Sequence, residues 1–195
     1  FANMTVIAPA DGFETGNALV AAMDWPGPVY MRIGRGFEPP VHKDQNYPFE
    51  IGRAITMRDG KDVTLIGCGV GVLQAMRAAE VLDGQGLSAR VLDMHTVKPI
   101  DREAVISAVK DTRRIVTIED HNIYGGLGTA VAEVIVASGK ACAFRKLGVP
   151  DCFSIVGYPE DLYHHYGFDA DGIVATVSEL MRLEIEEDED WEDEM

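Results

Sequence analysis

The clearest pattern of apolar and polar positions lies between residues 62 and 92. An apolar run, Val63 to Ile66, precedes a glycine-rich turn, Gly67 to Gly71, and residues 72–86 then carry apolar side chains near helical spacing. A second apolar run, residues 89–92, follows. Strands of a parallel sheet are covered on both faces and read as nearly unbroken apolar runs, and a helix joins consecutive strands. The pattern therefore predicts a strand, helix and strand of a parallel sheet.

The same alternation continues along the chain. Asp93 to Asp101 is predicted to be a loop, further strands are predicted at residues 51–57, 114–118 and 141–147, and further helices at about residues 101–109, 129–138, 160–165 and 171–181. Strands that alternate with helices are typical of α/β proteins. The predicted fold class is α/β, with an open, mostly parallel sheet and helices on both faces.

The first residues predict a separate strand, helix and strand. Strands are expected at about residues 4–8 and 29–33, with a helix at 12–23 that begins where Asp11 and Glu14 can cap its free amides. One such unit cannot cover both faces of its own sheet. We therefore expect residues 1–36 to be the last piece of a larger α/β domain, with the chain beginning inside that fold. A polar, proline-containing connector at 37–49 then leads to a second domain at 50–183.

Charge changes the picture mainly at the end of the chain. The net charge is −15, and residues 184–195 hold nine acidic residues and no basic one. Such a segment is expected to be a disordered acidic tail, and the shortage of basic residues argues against nucleic acid as a partner. No uninterrupted apolar stretch is long enough to predict a membrane span. Three cysteines without C-x-x-C spacing favour reduced thiols and a cytoplasmic protein.

Two glycine-rich turns are candidate ligand sites. The turn at Gly67 resembles a dinucleotide fingerprint only in part, because the third glycine would stand where the chain has Val72. The second turn, Gly125, Gly126 and Gly128, precedes a predicted helix and could present amides to an anion, with His121 as a nearby donor. The alternative is a turn that needs glycine only for a positive φ angle.

A third candidate is Arg35, which lies between two glycines at the carboxyl end of a predicted strand. Open α/β sheets bind ligands at that edge, and a guanidinium can hold a phosphate through two hydrogen bonds. The alternative is an ordinary solvated arginine. The five histidines show none of the spacings of known zinc motifs, so no metal site is predicted, and no serine-centred nucleophile motif is present.

Six motifs, taken in chain order, resemble the carboxyl-terminal part of the transketolase family. They are Val6-Ile-Ala-Pro-Ala-Asp11-Gly-Phe-Glu14-Thr15, Gly27-Pro-Val-Tyr-Met-Arg-Ile-Gly-Arg35-Gly36, Gly60-Lys-Asp-Val-Thr-Leu-Ile-Gly-Cys-Gly69, Val91-Leu-Asp-Met-His-Thr-Val-Lys-Pro-Ile-Asp101, Val116-Thr-Ile-Glu-Asp-His121 and Gly125-Gly-Leu-Gly128. The resemblance covers about residues 4–182. It implies that residues 1–36 end a pyrimidine-binding domain and that residues 50–183 form a transketolase carboxyl-terminal domain.

The resemblance also implies a function. The complete enzyme would transfer two-carbon ketol units between sugar phosphates with thiamine diphosphate and Mg²⁺, as a homodimer, and Arg35 would bind the substrate phosphate. Family members hold the cofactor through a Gly-Asp-Gly motif followed by an asparagine in another domain, and through a glutamate early in the pyrimidine-binding domain. Gly-Asp-Gly is absent from this sequence, and that glutamate would precede Phe1. No cofactor is therefore expected to bind this chain alone, which needs an amino-terminal, cofactor-binding half.

Other functions remain open at this point. The chain could be a non-catalytic anion-binding or regulatory module that uses the turn at Gly125. The same architecture is shared by 1-deoxyxylulose-5-phosphate synthase and by the beta subunits of 2-oxoacid dehydrogenases, so a different partner half would imply a different reaction.

Overall fold

The computed structural model of the protein describes residues 1–35, 39–43 and 46–185. Its strands are β1 (Thr5–Ile7), β2 (Val29–Met31), β3 (Ile55–Arg58), β4 (Val63–Gly67), β5 (Ala89–Asp93), β6 (Thr96–Lys98), β7 (Arg114–Asn122) and β8 (Ala143–Val149). Its helices are α1 (Gly12–Met23), α2 (Val70–Gly84), α3 (Arg102–Asp111), α4 (Leu127–Ser138), α5 (Pro159–His165) and α6 (Ala170–Leu180).

A five-stranded sheet in the order β3-β5-β4-β7-β8 forms the centre of the fold. Its strands are parallel except β3, which runs antiparallel to β5 at one edge. Every residue of β4 is buried, as expected of a strand with neighbours on both sides and helices on both faces. The α/β fold class and the mostly parallel sheet are confirmed.

The two faces of this sheet bury different helices. Leu65 and Val116 belong to a core that also includes side chains of α2 and α6, such as Ile173. Ile66 and Ile115 point to the opposite face, where the core includes residues of α3 and α4. Neighbouring residues of a strand point to opposite faces, so an apolar strand supplies both cores.

A second sheet has three strands in the order β2-β1-β6. β1 and β2 are parallel and joined by α1, which confirms the predicted amino-terminal strand, helix and strand. The predicted loop between Asp93 and Asp101 is wrong at Thr96–Lys98, because these residues form β6 and pair antiparallel with β1. Three residues, two of them polar, give no periodic signal, so pairing with a distant strand decides their conformation.

β7 is also longer than predicted. It continues beyond Ile118 to Asn122, which pairs with Val149 of β8 after a shift in register. The residues of this extension are Glu119, Asp120, His121 and Asn122, a polar sequence that reads as a loop. The extension carries these side chains out past the end of the central strand β4.

The two sheets are joined by backbone hydrogen bonds. The Ala8 amide donates to the His95 carbonyl at 2.7 Å, and the Gly69 amide donates to the Ala8 carbonyl at 2.9 Å.

The domain boundaries at residues 36, 49 and 183 remain predictions. Gly36 to Glu38, Asp44 and Gln45 of the connector, and residues 186–195 of the acidic tail, lie outside the described residues.

Helix α1 buries only part of its surface. Glu14 and Ala18 face inward, whereas Leu19, Val20 and Met23 are 52%, 66% and 81% exposed. Tyr30 of the adjacent edge strand β2 is exposed as well.

Among the described residues, no helix combines the length and apolar character needed to cross a membrane.

Two glycines of α2 offer a matched test of this packing. A Cβ added at Gly71 would overlap the carbonyl oxygen of Ile118 in β7, whereas one added at Gly84 meets no atom within 4 Å. We expect Gly71→Ala to lower the free energy of unfolding by about 2 kcal/mol or more, because the helix must move off the sheet. Gly84→Ala should leave it unchanged or raise it by up to about 1 kcal/mol, since alanine favours the helix. Urea unfolding followed by circular dichroism measures both, and equal effects would contradict the close approach.

Candidate functional site

Asp11 holds the connector against the start of α1. Its Oδ1 accepts a hydrogen bond from the Glu14 amide at 2.9 Å, which is the predicted helix cap. Its Oδ2 accepts from the amides of Val41 and His42 at 2.8 and 2.9 Å. Burial alone would raise the pKa of Asp11, but the three amides outweigh burial and lower it. The carboxylate is therefore a charged anchor for a chain segment 30 residues away.

A buried cluster of three ionisable side chains lies next to this anchor. The His42 Nε2 atom is 3.1 Å from Asp93 Oδ2 and 3.5 Å from Glu14 Oε1. Glu14 and Asp93 are fully buried and His42 is nearly so. The His42 ring stacks on Tyr47, with the ring centres 4.2 Å apart. The cluster joins α1, the connector and the carboxyl end of β5, and we call it the Glu14–His42–Asp93 cluster.

The electrostatic interactions within this cluster raise the pKa values of both His42 and Asp93. Burial by itself would lower the pKa of His42, but hydrogen bonds and charge from Asp93 and Glu14 raise it to about 10. Burial, together with the neighbouring Glu14 carboxylate, raises the pKa of Asp93 well above its usual range, although His42 opposes that shift. His42 is therefore an imidazolium at neutral pH, and it partly compensates two buried carboxyl groups.

A narrow cleft opens beside the cluster. It has a volume of about 80 Å³ and is lined by residues of the β1–α1 turn, the start of α1, the segment after β2, the β4–α2 turn and β7. Among them are Asp11, Thr15, Arg32, Gly34, Gly69 and Asp120. The Arg32 guanidinium is 3.4 Å from the Asp120 carboxylate across this cleft, and both side chains are partly exposed. Arg32 thus presents a positive charge at the carboxyl ends of strands from both sheets, where α/β proteins bind ligands.

Arg35, the predicted phosphate-binding residue, is exposed and follows Gly34 at the rim of the cleft. The described lining includes Ile33 and Gly34 but not Arg35 itself. The structure therefore leaves the Arg35 side chain in solvent, one residue from the cleft, and its role stays a prediction.

The second predicted site, the turn before α4, already has an internal anion. Glu119 accepts hydrogen bonds from the amides of Leu127 and Gly128 at 2.7 and 2.8 Å. A Cβ added at Gly126 would overlap the Glu119 carboxylate, so glycine is needed there for close approach. Gly125 has the positive φ angle, +77°, that the alternative interpretation of the turn required.

The structure nevertheless brings part of this turn into a shared cleft. His121, Gly125 and Gly126 line a space of about 150 Å³ together with Arg32 and Glu119, whereas Gly128 lies outside this lining. His121 Nδ1 lies 2.8 Å from the Asn122 carbonyl oxygen, and the ring is half exposed. Burial raises the pKa of Glu119, although the amides of Gly128 and Leu127 oppose the shift.

Sequence reasoning missed Arg32 and the Glu14–His42–Asp93 cluster as site residues. Arg32 lies three residues before Arg35 in the same motif, so its position at the strand end was a usable signal. The cluster gives no such signal, because His42 and Asp93 are 51 residues apart and meet only when Asp11 holds the connector beside the end of β5.

Comparison with known proteins identifies the family. Residues 52–173 match the family described as the transketolase carboxyl-terminal domain. This match covers more than half of the chain, and the chain therefore belongs to the transketolase family, as its carboxyl-terminal portion. The predicted resemblance is confirmed.

Individual relatives are consistent with this assignment. The chain is 37% identical over 182 residues to a subunit of the apulose-4-phosphate transketolase of Phocaeicola vulgatus, covering 93% of this chain and 58% of that protein. It is 40% identical over 183 residues to a putative transketolase carboxyl-terminal section of Methanocaldococcus jannaschii, covering 93% and 57%. The chain thus spans somewhat over half the length of these curated relatives.

A solved structure shows the same fold at similar coverage. A split-gene transketolase, described as an inactive beta4 tetramer, superposes with a TM-score of 0.87 at 39% identity, covering 93% of this chain and 59% of that one.

The anchoring role of Asp11 can be tested against a simple helix cap. Asp169 caps α6 through the Gly172 amide, and its other oxygen contacts the nearby exposed His164 side chain at 2.7 Å, whereas Asp11 accepts two amides from the connector. Asp169→Ala should cost about 1 kcal/mol of stability, as cap removal usually does, and Asp11→Ala about 2 to 3 kcal/mol. Asp11→Ala should also speed tryptic cleavage after the exposed Lys43. Cleavage after Lys43 at the wild-type rate in folded Asp11→Ala would contradict the anchor.

The raised pKa of His42 predicts a loss of stability at alkaline pH. A histidine whose pKa rises from 6.5 to about 10 on folding stabilises the protein fully below its unfolded pKa, and that stability is lost as pH rises to about 10. The free energy of unfolding should therefore decline steadily as the pH rises across this range. His42→Gln should flatten the profile, whereas the exposed control His165→Gln should not. A decline of wild-type size in His42→Gln would show that other groups cause it.

Proposed function

We propose that this chain is the carboxyl-terminal part of a thiamine-diphosphate-dependent transketolase and is not catalytic by itself. The complete enzyme transfers two-carbon ketol units between sugar phosphates. The observation that carries the proposal is the match to transketolase subunits and carboxyl-terminal sections along 93% of this chain but little more than half of theirs.

The residues of this chain do not fit the cofactor. The sequence contains no Gly-Asp-Gly motif for a Mg²⁺-bound diphosphate. The amides at the start of α4, which could otherwise receive phosphate oxygens, already donate to the buried Glu119 carboxylate. A second anion there would meet like charge. The cofactor and its Mg²⁺ therefore bind to a partner half, and this chain supplies an assembly surface and substrate-binding positions.

The surface of α1 supports a partner half. Leu19, Val20 and Met23 form an exposed apolar face beside the edge strand β2. Exposed apolar faces and open strand edges usually mark contacts with another chain. We propose that the amino-terminal half covers this face and completes the domain to which residues 1–36 belong. Two copies of the enzyme, each made of both halves, then form the homodimer. The free thiols at Cys68, Cys142 and Cys152 suit a cytoplasmic setting.

Substrate contact is assigned to Arg35, with Arg32 beside it. Arg32 lines the cleft beside Asp11, and Arg35 lies one residue beyond the lining. Two guanidinium groups at one strand end attract a dianionic phosphate, which takes hydrogen bonds from arginine in fixed geometry. Asp120 holds Arg32 until a phosphate competes for it.

A second candidate function is a non-catalytic anion-binding or regulatory module. One observation favours it, since His121, Gly125 and Gly126 line a cleft with Arg32. The Glu119 carboxylate weighs against it because it already satisfies the amides of Leu127 and Gly128. A 1-deoxyxylulose-5-phosphate synthase or a 2-oxoacid dehydrogenase would require a different amino-terminal half but the same carboxyl-terminal fold.

The proposal is tested by measuring ketol transfer with the chain alone and after mixing with the amino-terminal half from the same source. The chain alone should neither bind thiamine diphosphate with Mg²⁺ in calorimetry nor transfer a ketol unit, and the mixture should do both. Cofactor binding or turnover by the isolated chain would contradict the proposal. Stable assembly of the two halves without ketol transfer would favour one of the other reactions.

The role of Arg35 is tested in the assembled enzyme. Arg35→Ala should raise KM for phosphorylated substrates by about 30-fold, which corresponds to the loss of one charged hydrogen bond of about 2 kcal/mol. Affinity for thiamine diphosphate and turnover of an unphosphorylated acceptor should not change. Arg182→Ala, at another exposed arginine, is the control. Equal KM values in wild type and Arg35→Ala would remove Arg35 from the site.

A further inference from the structure

We propose that Glu14, His42 and Asp93 form a binding site for a divalent transition-metal ion, best fitted by Zn²⁺. The three side chains each offer one ligand atom, and these atoms all lie within 4.8 Å of one another. They come from α1, from the connector and from the end of β5, so an ion bound here would join both sheets of the chain through three separate segments.

The distances match the coordination sphere of zinc. Zinc binds imidazole nitrogen and carboxylate oxygen at about 2.0 to 2.2 Å, so two ligands of a tetrahedral ion are about 3.3 Å apart. His42 Nε2 is 3.1 Å from Asp93 Oδ2 and 3.5 Å from Glu14 Oε1. Stacking on Tyr47 fixes the plane of the His42 ring, which reduces the movement needed to bind an ion.

Unsatisfied oxygens in the cluster are a second, independent observation. Asp93 Oδ1 is buried and, within the described ranges, has no hydrogen-bond partner, and Glu14 Oε1 has only the ion pair with His42 at 3.5 Å. Buried carboxylate oxygens are normally paired or bound to metal, because leaving them without a partner is costly. A divalent cation would neutralise the two carboxylates and occupy the place of the imidazole proton.

The donor set selects the kind of ion. Imidazole with carboxylates suits Zn²⁺ and other first-row transition metals, whereas Mg²⁺ prefers six oxygen ligands and keeps several waters. Another group of possible ligands, His164, Asp169 and Asp171, includes two exposed residues near the start of α6. Exposed ligands stay hydrated and bind ions weakly, so this group is a natural control.

The first experiment measures metal binding to the full chain after it has been stripped with a chelator. Equilibrium dialysis with Zn²⁺ should give one ion per chain. Glu14→Gln and Asp93→Asn keep the side-chain shape but remove a charged ligand, and each should weaken binding at least tenfold. His164→Ala should bind Zn²⁺ as the wild type does. Full binding in both Glu14→Gln and Asp93→Asn, or loss of binding in His164→Ala, would overturn the proposal.

A second experiment uses the wild-type protein, in case the variants do not fold. Zn²⁺ should slow tryptic cleavage after Lys43, next to His42, and leave cleavage after the exposed Lys140 unchanged. Co²⁺ in place of Zn²⁺ should give the intense visible absorption of a tetrahedral site. Absence of Zn²⁺ binding, or binding that neither protects Lys43 nor yields this spectrum, would show that the cluster is a metal-free ion pair.

Discussion

The structure depends on how two buried carboxyl groups, Glu14 and Asp93, are kept in place at the junction of two sheets. An isolated charge is too costly to bury, so without a bound metal ion Glu14 and Asp93 depend on the His42 cation that contacts both. Asp11 brings that histidine to them, because its carboxylate accepts the amides of both Val41 and His42. The connector is therefore held by charge and hydrogen bonds, and it adds to the β1–β6 pairing and the backbone hydrogen bonds that hold the β1–α1–β2 unit against the five-stranded sheet.

This junction also sets the positions of the turns that surround the cleft. It places the β1–α1 turn and the end of β2 beside the β4–α2 turn, and the cleft with Arg32 lies between them. The same arrangement leaves one face of α1 uncovered and fills the amide-rich start of α4 with Glu119. Among the described residues, an open cleft with Arg32, an apolar outer face and an occupied helix start fit the proposal that this chain is one half of a divided active site.

Much of the fold could be predicted because its signals are local. The apolar runs of β4 and β5 follow from burial on both faces, and α1 begins directly after its cap residue, Asp11. β6 could not be predicted, since three residues acquire their conformation only by pairing with β1. The site divides in the same way. Arg35 and the Gly125 turn can be recognised from the sequence alone. The partners of Glu14 and Glu119 are chosen by tertiary packing, which spacing along the chain does not encode.

If this chain works as one half of a transketolase, the other half must accompany it in the cell. The most direct measurement is to isolate the chain from its native source and identify by mass spectrometry the polypeptide joined or tightly bound to it. We expect an equimolar partner, in the same chain or a separate one, with a Gly-Asp-Gly motif and the glutamate that activates the cofactor. A chain associated only with copies of itself, with no such partner made by the source, would contradict the proposed division of the enzyme.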